Sequence, residues 1–202
     1  MRVIDLSVVI NENTPVYPGD PKTKVEPAGT FSADSYMDHV ISLGTHVGTH
    51  IDAPLHMLED GKSLDQIPIE QFVGRGRLIK ISKFDLTQVQ AADLAEGDIV
   101  LFATGMSAKY HEPIYFEQYP VMTEEIADYL VSKKVKMVGL DTGNVDIEAD
   151  FPIHKKLLSG GVLIIENLTN LQALDGQNFT VYALPLKLDV DGAPARVVAV
   201  IE

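Results

Sequence analysis

The sequence predicts an α/β or α+β domain with a large mixed sheet, curled toward a barrel, and few helices. Three observations lead there. Short runs rich in Val, Ile, Leu and Phe recur along the chain, bounded by Gly, Asp or Pro. Strong helical periodicity is confined to a single segment. No linker, repeat or low-complexity tract divides the chain, so residues 1–202 are read as one domain.

The elements follow in order. RVIDLSVVI at 2–10 starts as a strand, and NENTPVYPGDP at 11–21 reads as an ordered loop. Further strands are expected at 39–43 (HVISL), 76–81 (GRLIKI), 98–104 (DIVLFAT), 136–141 (KMVGLD), 161–166 (GVLIIE), 179–186 (FTVYALPL) and 195–202 (ARVVAVIE). GRGR at 74–77 is read as a basic turn joining strands, and Asp191-Gly192 as the turn of a terminal hairpin. The clear helix is TEEIADYLVSKK at 123–134. Thr123 caps it, acids open it, lysines close it, and Ile126 and Leu130 mark its apolar stripe. TQVQAADL at 87–94 is a shorter helix.

Charge and composition narrow the function. The net charge of −13 disfavours nucleic acid phosphates and anionic membranes as partners, leaving a small-molecule substrate. No apolar run is long enough to span a bilayer, and the N-terminus lacks the uninterrupted apolar core of a signal peptide, so a cytoplasmic protein is expected. With no cysteine, thiolate sites and a cysteine nucleophile are excluded, and any metal must be held by nitrogen and oxygen. No GxSxG, GxGxxG or Walker pattern occurs, which argues against serine chemistry and nucleotide cofactors.

One stretch carries chemistry. HVGTHIDAPLH at 46–56 holds three of the six histidines and an aspartate. Gly48 and Pro54 oppose a helix. In an extended chain His46, His50, Asp52 and His56 all project from one face, opposite Val47, Ile51 and Leu55. A straight strand would put its ends about 33 Å apart, so one site requires a bend, for which Gly48 and Pro54 are suited. The reading is that His46, His50 and Asp52 ligate a metal while His56 lies just outside the ligand shell. A polar strand face open to water and a purely structural metal site are the competing readings. Downstream, His154 and Glu166 are candidates to complete the set, though by itself Glu166 fits an exposed strand end or a cap. Asp141 and Asp146 in DTGNVD are candidate supporting groups or turn formers. His39 and His111 have no comparable neighbourhood and are read as surface or packing residues.

HVGTHIDAPLH resembles the HxGTHxDxPxH pattern of the metal-dependent cyclase-like hydrolases, which include bacterial kynurenine formamidase and isatin hydrolase. IDLS at 4–7, YPGD at 17–20, GDIVLFATG at 97–105, GLDT at 139–142 and the His154-to-Glu166 spacing extend the resemblance over nearly the whole chain. It implies a β-rich α/β fold of swivelling type and a homodimer or higher homo-oligomer. It implies two divalent metal ions, zinc or in some members manganese. His46, His50 and Asp52 would hold one, Asp52 would bridge to the second, His154 would hold the second, and Glu166 would bridge both. His56 would be the general acid/base, and Tyr17 the aromatic wall for a substrate ring. Formamidases tend to carry Trp at the position of Tyr17, and PSVD where this chain has GNVD, so the substrate pocket departs where the metal set does not.

The expected chemistry is hydrolysis of an amide of formamide type in a small aromatic compound, with N-formylkynurenine favoured. Isatin-like cyclic amides are the enzyme alternative, and a catalytically silent metal- or metabolite-binding module is the alternative of another class. The spare imidazole of His56 weighs against the silent module.

Overall fold

The run IVLFA at 99–103 is apolar at every position, so a strand there must be covered on both faces. The computed structural model, which describes residues 1–201, covers it in that way; Glu202, the last residue of the expected terminal strand, lies outside the described residues. In chain order the elements are β1 (Arg2–Asp5), β2 (Lys24–Gly29), α1 (Phe31–Asp34), β3 (Asp38–Ser42), β4 (His50–Asp52), β5 (Val73–Lys80), α2 (Leu86–Gln90), β6 (Ile99–Ala103), α3 (Glu124–Ser132), β7 (Met137–Leu140), α4 (Pro152–Ser159), β8 (Leu163–Glu166), β9 (Phe179–Pro185) and β10 (Gly192–Ile201).

Among the described residues, eight strands form one sheet in the order β1-β10-β4-β8-β7-β6-β5-β9, and β9 also pairs with β10. That last pairing closes the sheet into a barrel-like ring, with β1 attached to the edge of β10. The expected curl is therefore completed as closure, which removes the free edges of the ring itself and leaves β1 as an outer strand. β5, β6, β7 and β8 run parallel, while β4, β9 and β10 pair antiparallel.

Alternation sorts the side chains between two cores. Ile99, Leu101, Met137, Leu163 and Ile165 point into the ring with Ile51, Val181 and Val197. Val100, Phe102, Val138, Leu140 and Ile164 point outward, against Val89 of α2, Ile126 and Leu130 of α3, and Ile153 and Leu157 of α4. α3 begins as its sequence predicts: Thr123 Oγ1 accepts from the amide of Ile126 at 3.4 Å. No helix among the described residues is long and apolar enough to cross a membrane.

Four local expectations need correction. GRGR lies within β5 rather than in a turn, and the Cβ-free Gly76 leaves room for the ring of Phe179. HVISL forms β3 but outside the main sheet, in a two-stranded ribbon with β2, and the residues of β3 are all exposed. The β9–β10 hairpin exists, but Asp191-Gly192 is not its tight turn; Gly192 already belongs to β10 and pairs with Asp52. The segment 46–56 is not one extended run. Only His50–Asp52 is strand, Gly48 bends the chain at φ +62°, and Pro54–His56 is a 3-10 turn. The common phase of the four polar residues thus holds only for His50 and Asp52, and the bends bring in the other two.

Candidate metal centre

Register builds the site. In the antiparallel pair β4–β8, His50 lies opposite Glu166, and in β10–β4, Asp52 lies opposite Gly192. Directly opposed side chains in such a pair share a face. Ile51 and Ile165 fill the ring interior, so His50, Asp52 and Glu166 project to the outer face, where α4 packs. The first turn of α4 carries His154 across them, its Nε2 3.4 Å from Glu166 Oε1 and 3.7 Å from Asp52 Oδ2. The bend at Gly48 returns His46 to the same point, with Nδ1 2.8 Å from Asp52 Oδ1. A Cβ at position 48 would meet Ile10 Cγ1 at 2.6 Å, so glycine is required there for space as well as for dihedral angle. The 3-10 turn sets the His56 ring 3.9 Å from that of His46.

All of His46, His50, Asp52, His56, His154 and Glu166 therefore meet around one carboxylate, Asp52. The grouping differs in detail from the one expected from sequence. One set of donor atoms within 4.8 Å of one another comprises His46, Asp52 and His56, and another comprises His50, Asp52 and Glu166. His56, which the sequence places just outside the ligand shell, stands beside His46 and close enough to Asp52 to join that set. Tyr17 is on the wall of the adjoining cavity of about 340 Å³, edge-on to Phe116 with ring centroids 5.9 Å apart. His39 on β3 and His111 beside Tyr110 are both exposed and far from this cluster in role, as expected.

Each buried imidazole has one nitrogen held by an outer acceptor. His50 Nδ1 donates to Gly48 O at 2.9 Å, and His154 Nδ1 donates to Asp146 Oδ2 at 2.7 Å. The other nitrogen of each then faces the acids. This is the arrangement by which proteins orient histidine ligands. Asp146 is thus a supporting group, while Asp141 neither supports the site nor forms its own turn; it holds the loop after β6, accepting from Thr104 and Gly105. The sequence reading missed Asn167, whose Nδ2 donates to Gly48 O at 2.8 Å and whose Oδ1 accepts from Tyr115 Oη at 2.8 Å. It also missed Asp191, whose Oδ2 accepts from His46 Nε2 at 2.8 Å and lies 3.3 Å from His56 Nδ1. Asp-Gly is a strong turn signal, and that reading masked the carboxylate.

The donor set fits a cation. His50 Nε2, Asp52 Oδ2 and Glu166 Oε1 are buried without a hydrogen-bond partner. His50 Nε2 and Asp52 Oδ1 are only 3.3 Å apart but are misaligned for a hydrogen bond. Orphaned polar atoms of this kind cost about 1–3 kcal/mol each, and a bound ion would satisfy all three. Nitrogen and carboxylate donors suit zinc and manganese alike. Charge tells the same story. Burial opposes the imidazolium of His46, yet the hydrogen bonds of Asp191 and Asp52 outweigh it and raise its pKa from 6.5 to about 10. Burial likewise opposes that of His154, and Asp146 and Glu166 raise it to about 10. Burial works against the Asp52 carboxylate, but His46 and His50 hold its pKa well below 3.8. In the absence of metal these acids thus gather protons onto the imidazoles that face them, and a cation competes for the same places.

The Cyclase family model matches residues 4–147, more than half of the chain. The chain belongs to the cyclase family. A kynurenine formamidase of Bacillus cereus is 30% identical to this cyclase-family chain over 202 residues, covering 96% of this chain and 95% of that one. A solved structure described as a potential metal-dependent hydrolase with cyclase activity is 34% identical, with a TM-score of 0.83, covering 98% of this chain and 96% of that one. Isatin hydrolase A of Labrenzia aggregata, bound to benzyl benzoate, is 26% identical with a TM-score of 0.88 and covers 98% and 93% of the two chains. Likeness to the kynurenine formamidase and to the isatin hydrolase supports a hydrolase.

Proposed function

We propose that this chain is a metal-dependent hydrolase that cleaves an amide of formamide type in a small aromatic substrate, N-formylkynurenine being the favoured one. The observation that carries the reading is the trio of orphaned donors, His50 Nε2, Asp52 Oδ2 and Glu166 Oε1, of which His50 and Glu166 line a cavity that also presents Tyr17 and Phe116. Likeness to a kynurenine formamidase over 96% of the chain supports the substrate class. His46, His50 and Asp52 would hold one divalent ion, and His154 a second, with Asp52 and Glu166 shared between them. When bound, such ions supply Lewis acidity toward a carbonyl oxygen and toward water.

The side chains do the remainder. Asp52 and Glu166 offset the positive charge of the site. Tyr17 and Phe116 stack against an aromatic ring and orient its amide toward the histidines. His56 lines the cavity and carries a proton from the attacking water to the leaving nitrogen. Burial holds its pKa below the ordinary 6.5, so the ring is neutral and ready to accept. The neighbourhood of His46 Nδ1, Asp52 and His56 favours a second reading, in which His56 is itself a ligand.

A hydrolysis panel decides the substrate. Purified protein is loaded with zinc or with manganese and given N-formylkynurenine and isatin, with metal content measured in parallel. Turnover of the formamide above the lactam is expected. Preference for isatin would reassign the substrate, and stoichiometric metal with no hydrolysis of either compound would favour a silent binding module. The active form is proposed as a cytoplasmic homodimer or higher homo-oligomer. The exposed Val40 and Ile41 of β3, with Tyr36 in the connection before it, support association, since a lone two-stranded ribbon is marginal in water.

A further inference from the structure

Asp191 is placed by its backbone before its side chain acts. Its carbonyl accepts from the amide of Ala53 at 2.8 Å, and the neighbouring Val190 carbonyl accepts from Leu64 at 3.0 Å. The strap leading into β10 is thereby fastened to the chain on both sides of the 3-10 turn that carries His56. From there Oδ2 reaches two imidazoles, His46 Nε2 at 2.8 Å and His56 Nδ1 at 3.3 Å. An ionised carboxylate only accepts, so in each ring the nitrogen facing Asp191 carries the hydrogen. His46 Nδ1 is then directed at Asp52, and His56 Nε2 is left as the remaining nitrogen of that ring.

Gly192 makes the arrangement possible. A Cβ there would lie 2.7 Å from His46 Cε1 and 3.1 Å from Nε2, so only glycine lets the ring lie against the start of β10. His154 and His50 each have an acceptor of their own, in Asp146 and the Gly48 carbonyl. His46 and His56, whose rings stand 3.9 Å apart and 33° from parallel, share one.

We propose that Asp191 is a positioning residue that fixes the ring orientation of His46 and His56 together, tying the geometry of a ligand to that of the proton carrier. The positioning itself follows from the contacts; only its consequence for turnover rests on the hydrolase reading. Because the acceptor is shared, losing it disturbs both rings at once. Substituting an outer partner of a metal ligand typically lowers metal affinity or activity by about 10–100-fold.

The test compares Asp191→Ala, Asp191→Asn and Asp191→Glu with the wild type. Long-range nitrogen–proton NMR of the imidazoles is recorded on chelator-treated and on zinc-loaded protein. Zinc affinity is measured by chelator competition, and kcat and KM on whichever amide the wild type hydrolyses. The expected result is that the signals of His46 and His56 move together in the Ala and Asn variants while those of His154 do not. Zinc affinity should fall by about 10–100-fold, kcat should fall more than KM changes, and Glu should restore part of the loss. Asp191→Asn guards against misfolding in the Ala variant, because it keeps the size and replaces the charged oxygen that both rings share by a neutral, weaker amide acceptor. Wild-type-like signals for both rings in a folded Asn or Ala variant would overturn the proposal. If both rings respond but the wild type hydrolyses no amide, the hydrolase reading fails and the positioning role stands.

Discussion

Asp146→Ala tests how the site is braced. Asp146 is 1% exposed and accepts three hydrogen bonds: from the amides of Ile153 and His154 at 2.9 Å each, and from His154 Nδ1 at 2.7 Å. α4 has no side-chain cap of its own at Phe151, so this carboxylate serves its first turn from outside. Losing a cap costs about 1 kcal/mol. Removing one partner of a buried charge pair costs about 3–5 kcal/mol, and the low end applies because Glu166 and Asp52 remain near His154. The sum is about 4 kcal/mol, a large share of the roughly 5–15 kcal/mol by which domains are stable. At about 2–4 °C per kcal/mol for a chain of this size, Tm should fall by about 8–16 °C. Urea unfolding in chelator measures it, read as a lower midpoint at unchanged slope. Asp146→Asn, which retains one acceptor oxygen, should lose less. A loss below about 1 kcal/mol for the Ala variant would refute the bracing role, because even the cap alone should exceed it.

Other outcomes follow from the same geometry. His56→Ala should keep its metal and lose about 10²–10⁴-fold in kcat; loss of one equivalent of metal instead would make His56 a ligand. Without metal, His46 and His154 are raised from 6.5 to about 10, so the stability they contribute is fully present below pH 6.5 and is lost as pH rises through about 10. Chelator-treated protein should therefore melt lower at pH 9.5 than at pH 6.5, while its zinc affinity rises with pH because protons and metal compete; a melting temperature that climbs across that range is inconsistent with protonated imidazoles. Gly192→Ala places a Cβ 2.7 Å from His46 Cε1 and should weaken zinc binding, as judged by chelator competition, with little change in far-ultraviolet circular dichroism. If the proposed homo-oligomer forms through the β2–β3 ribbon, Val40→Asp with Ile41→Asp should convert it to monomer in light scattering, and an unchanged oligomeric mass would place the interface elsewhere.

The fold was legible where burial is two-sided. IVLFA, MVGL and LIIE are apolar at consecutive positions because ring and helix layer cover opposite faces, and each emerged as a strand close to its sequence bounds. Thr123 and the acids after it marked the start of α3 for local reasons that survive in the structure. What was not legible depends on distant partners. Closure through β9–β10 is a pairing between strands whose own patterns look the same in an open sheet. β2, KVEPAG, was missed because Pro27 and a register shift beside it break its alternation. α4 was missed because Pro152-Ile-His-Lys-Lys lacks an N-cap signal, and its cap comes from Asp146, six residues before Pro152 in the loop that leads into the helix.

The site divides along the same line. Residues that face inward announced themselves, because a metal needs imidazole and carboxylate donors and those types are scarce enough in one eleven-residue stretch to stand out. Residues that hold the donors from behind need only an acceptor, and acceptors are everywhere. Gly48 offers a backbone carbonyl, Asp146 sits in a turn-like DTGNVD, and Asp191 sits in an ordinary Asp-Gly. None has a composition that distinguishes it, and Asp191 acts on His46 across a separation that only the folded chain closes. The sequence asked for a bend but did not show its form. A straight strand would hold His56 remote from His46, and the 3-10 turn at Pro54–His56 and the strap ending at Asp191 fold it back against that ring. The rings of His46, His56 and His154 are thus oriented by acceptors outside the motif, at the entry to β10 and in the loop after β7, so substitutions there should alter the candidate metal centre without touching a ligand.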